Sequence, residues 1–135
     1  MTVDSKTEIA GGFRQVVRVD AYTLHADVSE ASGGTASAPN PHHYFAISLA
    51  TCKALTATMY AKRKGYLLER VEVYVDSDAT REREGTYVLR CKLAFIGALS
   101  APEKLKLYEI ASHCPIHKLM TSSTVEIETS PLEAP

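Results

Sequence analysis

Cysteine is scarce in this sequence and long apolar runs are absent. The three cysteines, Cys52, Cys91 and Cys114, are far apart and form no CxxC pair, which argues against a disulfide framework. No apolar run approaches the roughly 20 residues that span a bilayer, and the start "MTVDSKTEIAGG" lacks the features of a secretory signal. The net charge of −1 provides no field to recruit nucleic acid or an acidic membrane. We therefore expect a cytoplasmic globular protein that binds neither nucleic acid nor membranes.

The alternation of apolar and polar residues predicts a largely antiparallel sheet. Without an internal repeat or linker, the 135 residues fit a single domain over residues 1–135. Two-residue periodicity marks five segments as strands. They are 13–20, 21–28, 68–79, 86–97 and 123–130, with a charged turn at 80–85 joining the third and fourth.

A long helix is predicted over residues 41–64. Asn40 suits its N-cap, Pro41 its first turn and Gly65 its stop. This helix is apolar on almost every side and therefore needs cover all round. A small sheet covers one side only, so we expect a partner subunit on the other and a homodimer. The fold class that follows is α+β, mainly antiparallel, with the sheet packed on a long central helix.

A second, broken helix follows the hairpin. Ser100 and Glu103 have the spacing of a capping box, and Pro115 interrupts the helix and restarts it. This places Cys114 at or next to the N-cap of the new turn, where amides and the helix dipole lower a thiol pKa. His113 and His117 are near enough in sequence to add positive charge.

The other two cysteines have different settings. Cys91 shares a strand face with Leu89 and Leu93 and is interpreted as an inward-facing core residue. Cys52 lies in the middle of the long helix, between Ser48 and Thr56, and would need a cation from elsewhere in the fold to become reactive.

Three interpretations of Cys52 and Cys114 stay open on the residues alone. Both can be inert core residues. Both can bind zinc together with His117 and either His42 or His43, although no closely spaced ligand pair anchors such a site. Both can form a peroxidase pair, in which one thiol is oxidised and the other closes a disulfide. The last interpretation requires the two to meet in space, and spacing does not settle that.

Several motifs together resemble a known family. A "GG…P.P" loop runs into "SLATCKALTATMYAKRKG", followed by a VEV-type strand, "IASHCPIHKLM" and "VEIE". This order resembles the OsmC/Ohr family of osmotically inducible and organic-hydroperoxide-resistance proteins, over roughly residues 13–128. The resemblance implies an OsmC-like fold and an intertwined homodimer with two active sites at the subunit interface.

The resemblance also implies an activity and the residues that carry it. It implies an oxidoreductase of the oxidative stress response, a thiol-dependent peroxidase that reduces organic hydroperoxides without metal, haem or flavin. Cys52 matches the family's peroxidatic cysteine, and Cys114 matches its resolving cysteine. An external dithiol such as dihydrolipoamide is the expected reductant. Apolar neighbours of Cys52 would line the pocket for the peroxide; they are Phe45, Leu49, Leu55 and Met59.

The activating residues of the family match less well. His42 stands where the family has a glutamate that holds an arginine near the thiolate, and an imidazole cannot form that bidentate pair. Arg14 and Arg18, four apart in the first predicted strand, are the candidates for the arginine, whereas Lys53 is interpreted as a surface charge. These departures leave an alternative function, an OsmC-like redox-sensing or small-molecule-binding protein with weak or no turnover.

Overall fold

A computed structural model describes residues 1–133 of the chain. The chain divides into two compact units, Met1–Ile47 and Ser48–Pro135, and helix α1 (Pro41–Lys64) runs through the boundary. Its bounds are those predicted from Asn40, Pro41 and Gly65, and Gly65 takes the left-handed conformation (φ 73°) that ends many helices. The assignment of the chain to a single domain stays a prediction.

The first unit contains a three-stranded antiparallel sheet in the order β1-β2-β3. Its strands are β1 (Val3–Thr7), β2 (Gln15–Val19) and β3 (Tyr22–Ala26). The turn between β2 and β3 places Asp20 in the left-handed region (φ 49°), which a short polar side chain tolerates. The second and third strands were predicted, whereas β1 was not, because its sequence "VDSKT" is polar and poor in β-formers.

A buried aspartate organises the loop that precedes α1. Asp27 is 3% exposed, and its carboxylate accepts hydrogen bonds from Val28 N, Thr35 N and Oγ1, and Ser37 N and Oγ. The bonds from Ser37 contribute most, and together these donors hold the pKa of Asp27 far below its usual range. They stabilise the ionised carboxylate and thereby fix the loop.

Asp27 should make the stability of the chain depend on pH. Because its folded-state pKa lies below the unfolded value of about 3.9, its contribution is complete above that value and is lost as the pH falls towards the folded-state pKa. Asp27→Asn should therefore lower the urea midpoint at pH 7, and the difference from the parent should narrow between pH 5 and pH 2. Asp20→Asn, in the exposed turn after β2, is the matched control. A constant difference across this range would contradict the prediction.

The second unit contains the predicted hairpin. Strands β4 (Leu67–Asp78) and β5 (Val88–Ala98) pair antiparallel, with an irregularity between Leu68 and Arg70. Cys91 lies on the inward-facing side of β5, as predicted, although it is only half-buried.

The broken helix has the predicted form. Helix α2 (Ala101–Ser112) begins at a complete capping box formed by Ser100 and Glu103. Helix α3 (Pro115–Thr121) has Cys114 at its N-cap and Pro115 in its first turn. His113 and Cys114 therefore join the two helices, and we call this junction the α2–α3 corner. The core of this unit joins α1, β5 and α2 through Ala57, Ala61, Phe95, Leu107 and Ala111.

The predicted strand at 123–130 is wrong. Within the described residues this segment forms no strand, and Val125 and Ile127 are 63% and 83% exposed. A strand needs the backbone groups of a neighbouring strand, and alternation in the sequence does not supply that neighbour.

The observed architecture confirms the predicted α+β class with antiparallel sheets. None of the helices in residues 1–133 has the length and apolar character needed to cross a membrane.

Candidate thiol site

The middle of α1 carries a short polar stripe centred on Cys52. Residues four apart stack on one helix face, and the Cys52 sulfur lies 3.8 Å from the Thr56 hydroxyl oxygen. Cys52 is half-buried, so its thiol is not sealed within the core.

The Cys52 sulfur also contacts the start of α3. The backbone N–H of Ile116, in the first turn of α3, donates to Cys52 Sγ at 3.5 Å. The first N–H groups of a helix have no partner inside the helix, and they carry a partial positive charge. Such a donor stabilises a thiolate more than a thiol.

Cys114 lies next to Cys52 at the same corner. Cys114 is fully buried, and the Cys52 thiol is close enough to influence its ionisation. Burial raises the pKa of Cys114, and the neighbouring Cys52 thiol raises it further, whereas the N–H of His117 and the charge of Lys53 lower it. The expectation that its position alone would lower this pKa is therefore wrong, because burial outweighs the helix terminus. All three cysteines are free thiols.

Lys53 is not a surface charge, contrary to the prediction. It is 3% exposed, and its ammonium donates to the backbone oxygen of Ala111 at 3.0 Å and lies 3.1 Å from Nδ1 of His117. A lysine is almost never buried without partners. Its spacing contained a signal, since Leu49, Lys53 and Ala57 recur every four residues on the buried stripe of α1.

His117 completes this cluster. Burial lowers its pKa, and the charges of Lys53 and His113 lower it further. The imidazole is therefore neutral near pH 7, and Nδ1 accepts the hydrogen bond from the Lys53 ammonium. The site thus combines two thiols, one ammonium and one neutral imidazole, all within the second unit.

The predicted activating residues all lie in the first unit. Arg14, just before β2, pairs with Glu8 at 2.8 Å and donates to the backbone oxygen and hydroxyl of Ser37. Arg18 is exposed on β2, and His42 is exposed in the first turn of α1. Their predicted roles beside Cys52 stay predictions.

His43, next to His42, takes part in the N-terminal cap of α1. Asn40 Oδ1 accepts from the His43 N–H, and the Asn40 N–H donates to His43 Nδ1, both at 2.9 Å. Across residues 1–133 no group of three or more histidine, cysteine or acidic side chains is arranged to hold a metal ion. The zinc hypothesis therefore gains no support.

The apolar residues predicted to line a peroxide pocket divide into two sets. Leu49 is buried at 4% exposure, whereas Phe45, Leu55 and Met59 are 44%, 62% and 62% exposed. A separate open groove of about 540 Å³ lies in the first unit, formed by residues 36–39 and by His43, Ala46 and Ile47 of α1.

Comparisons with known proteins agree on one family. The family described as OsmC-like protein matches residues 34–130. The fold resembles that of an OsmC-like protein from Mycoplasma pneumoniae, at 18% identity and a TM-score of 0.71, covering 90% of this chain and 86% of that chain. No match was found among curated proteins.

Two further structures with similar folds are named for hydroperoxide resistance. One is the organic hydroperoxide resistance protein OsmC of Legionella pneumophila, at 21% identity and a TM-score of 0.62, covering 90% of each chain. The other is the organic hydroperoxide resistance protein OhrB of Bacillus subtilis, at 20% identity and a TM-score of 0.58, also covering 90% of each chain.

Proposed function

Because the chain belongs to the family of OsmC-like proteins, we propose that it is a thiol-dependent peroxidase acting on organic hydroperoxides. The observation that carries this proposal is the position of the Cys52 sulfur against the first turn of α3, whose N-cap is Cys114. A half-buried thiol beside a fully buried one suits a pair in which the first meets the substrate and the second closes a disulfide. The names of the Legionella and Bacillus proteins support the substrate class.

The proposed reaction begins with the Cys52 thiolate. It attacks the outer oxygen of the hydroperoxide, the O–O bond breaks, and the alkoxide takes a proton to leave as an alcohol. Cys52 becomes a sulfenic acid, oxidised by two electrons. Cys114 then attacks the Cys52 sulfur, an S–S bond forms, and the hydroxyl leaves with the Cys114 proton as water.

An external dithiol closes the cycle in this proposal. It transfers two electrons and two protons to the disulfide and becomes a disulfide itself, and dihydrolipoamide is of the required chemical class. No resident metal or cofactor takes part. We place the reaction in the cytoplasm, where such dithiols are kept reduced. We also propose a homodimer, because Leu55 and Met59 leave an apolar surface on α1.

The proposal predicts a definite change in thiol count. One equivalent of cumene hydroperoxide should remove two of the three free thiols per chain, Cys52 and Cys114, and leave Cys91. Titration with a thiol reagent under denaturing conditions, followed by peptide mapping, measures this loss. An unchanged count would exclude the mechanism.

The groove of the first unit favours a second candidate function, binding of a small molecule with weak or no turnover. Its volume of about 540 Å³ lies in the range of small-molecule sites. That function predicts slow thiol loss and no sustained consumption of hydroperoxide when a dithiol is supplied. Sustained consumption would favour the peroxidase.

A further inference from the structure

Lys53 is a buried cation that the resemblance to known proteins does not account for. Moving a charged group out of water costs free energy unless hydrogen bonds and favourable charges compensate. Two acceptors surround the ammonium, the Ala111 oxygen at 3.0 Å and His117 Nδ1 at 3.1 Å. Both belong to the corner between α2 and α3 that carries Cys114.

The Ala111 oxygen carries part of the negative charge at the C-terminal end of α2. It belongs to the last turn of α2, where carbonyl groups lack partners inside the helix and carry partial negative charge. Lys53 therefore neutralises the end of α2, and through His117 it also reaches the first turn of α3. One side chain of α1 thus fixes the position of the corner against the helix that carries Cys52.

The charge environment of the thiols includes groups from all three helices. Lys53 and Cys52 come from α1, His113 from the end of α2, and Cys114 and His117 from the start of α3. His117 is neutral near pH 7 because burial and the Lys53 charge both oppose its protonation. The Lys53 charge in turn lowers the pKa of Cys114.

We propose that Lys53 is a positioning residue that holds the α2–α3 corner against α1 through Ala111 and His117 and, with its buried ammonium, favours the thiolate of Cys114 at that corner. The inference rests on the proposed pair but concerns its ionisation, so it is tested without turnover.

The test measures how the pair ionises. In a Cys91→Ser background, Lys53→Gln keeps a hydrogen-bond donor and removes the charge, and Lys62→Gln removes an exposed charge from the same helix. Ionisation of the two remaining thiols is followed from pH 5 to pH 10 by the ultraviolet absorbance of the thiolate. Lys53→Gln should move the Cys114 step of this profile upward by about one pH unit. Lys62→Gln should leave it unchanged.

A folded Lys53→Gln variant with the parent's pH profile would overturn the proposal, since a purely structural role of Lys53 would leave the profile in place. A second measurement needs no replacement of Lys53. In the parent chain the Lys53 side-chain NMR resonance should shift over the pH range in which the thiols ionise. The double variant Cys52→Ser/Cys114→Ser lacks both thiols, so this pH-dependent shift of the Lys53 resonance should be absent from it. A resonance that does not respond in the parent would also overturn the proposal.

The two proposals fail in different ways. A thiol count unchanged by cumene hydroperoxide, together with a shifted profile in Lys53→Gln, would reject the peroxidase and support the role of Lys53. Loss of two thiols with an unshifted profile would support the peroxidase and reject the role of Lys53.

Discussion

Cys52→Ser is expected to reduce hydroperoxide consumption to the rate seen without protein, a loss on the order of a thousandfold or more. A serine hydroxyl is hardly ionised near neutral pH, and the His117 imidazole, the base of this site, already accepts a hydrogen bond from Lys53 at Nδ1. The Thr56 hydroxyl oxygen lies 3.8 Å from the Cys52 sulfur, and the Ile116 N–H donates to that sulfur. Consumption of cumene hydroperoxide with a dithiol in excess measures the effect.

Cys114→Ser should behave differently. The first step remains possible, so one equivalent of hydroperoxide should leave Cys52 as a sulfenic acid that a dimedone reagent traps. Because no second thiol is in place to close the disulfide, dithiol-dependent turnover should fall steeply while the single-turnover step survives. Equal activity in the Cys52 and Cys114 variants would refute the assignment of their roles.

Cys91→Ser is the matched control for both cysteine variants. Cys91 lies on the inward-facing side of β5, opposite Val75, and is half-buried like Cys52. It contributes a thiol to the count but no step to the proposed reaction. Turnover should therefore remain within about twofold of the parent, which separates the loss of a reactive thiol from the general effect of replacing a half-buried cysteine.

Local signals in the sequence were sufficient for the helices. The bounds of α1 follow from Asn40 and Gly65, and the reciprocal bonds between Asn40 and His43 show why the helix begins there. The capping box at Ser100 and the N-cap position of Cys114 are equally local. Each of these helix ends is determined by residues within about four positions of it, so it can be predicted from the sequence alone.

The wrong predictions concern residues whose structure depends on contacts with distant parts of the sequence. Strand β1 exists because β2 pairs with it, although its own residues are poor strand formers. Lys53 is buried because the α2–α3 corner supplies its acceptors, and that corner is about sixty residues away along the chain. The interpretation of Lys53 as a surface charge followed from its residue type alone.

The thiol pair depends on both local signals and distant contacts. The N-cap position of Cys114 was visible locally, but its burial, which raises its pKa, depends on how the corner packs against α1. The contact with Cys52 was expected from a family resemblance and not from spacing. Contacts between segments this far apart become visible only when the chain is folded.

The core of the second unit should depend strongly on Leu107. This side chain is fully buried and belongs to the cluster that joins α1, β5 and α2. Three of its neighbours in the cluster are alanines, Ala57, Ala61 and Ala111, whose short side chains cannot move to fill a space. Leu107→Ala should therefore leave a cavity and lower the free energy of unfolding by about 2–5 kcal/mol.

Leu105→Ala provides the control for this substitution. Leu105 lies two residues earlier on α2 and is 70% exposed, so the same change of residue type removes little buried surface. Its effect should stay within about 0.5 kcal/mol. Urea unfolding of both variants measures the difference, with a shift in midpoint at constant m indicating a change in stability and not in the unfolded state. A loss below about 1 kcal/mol in Leu107→Ala would contradict the tight packing of this core, because it would mean that larger neighbours such as Phe95 relax into the cavity.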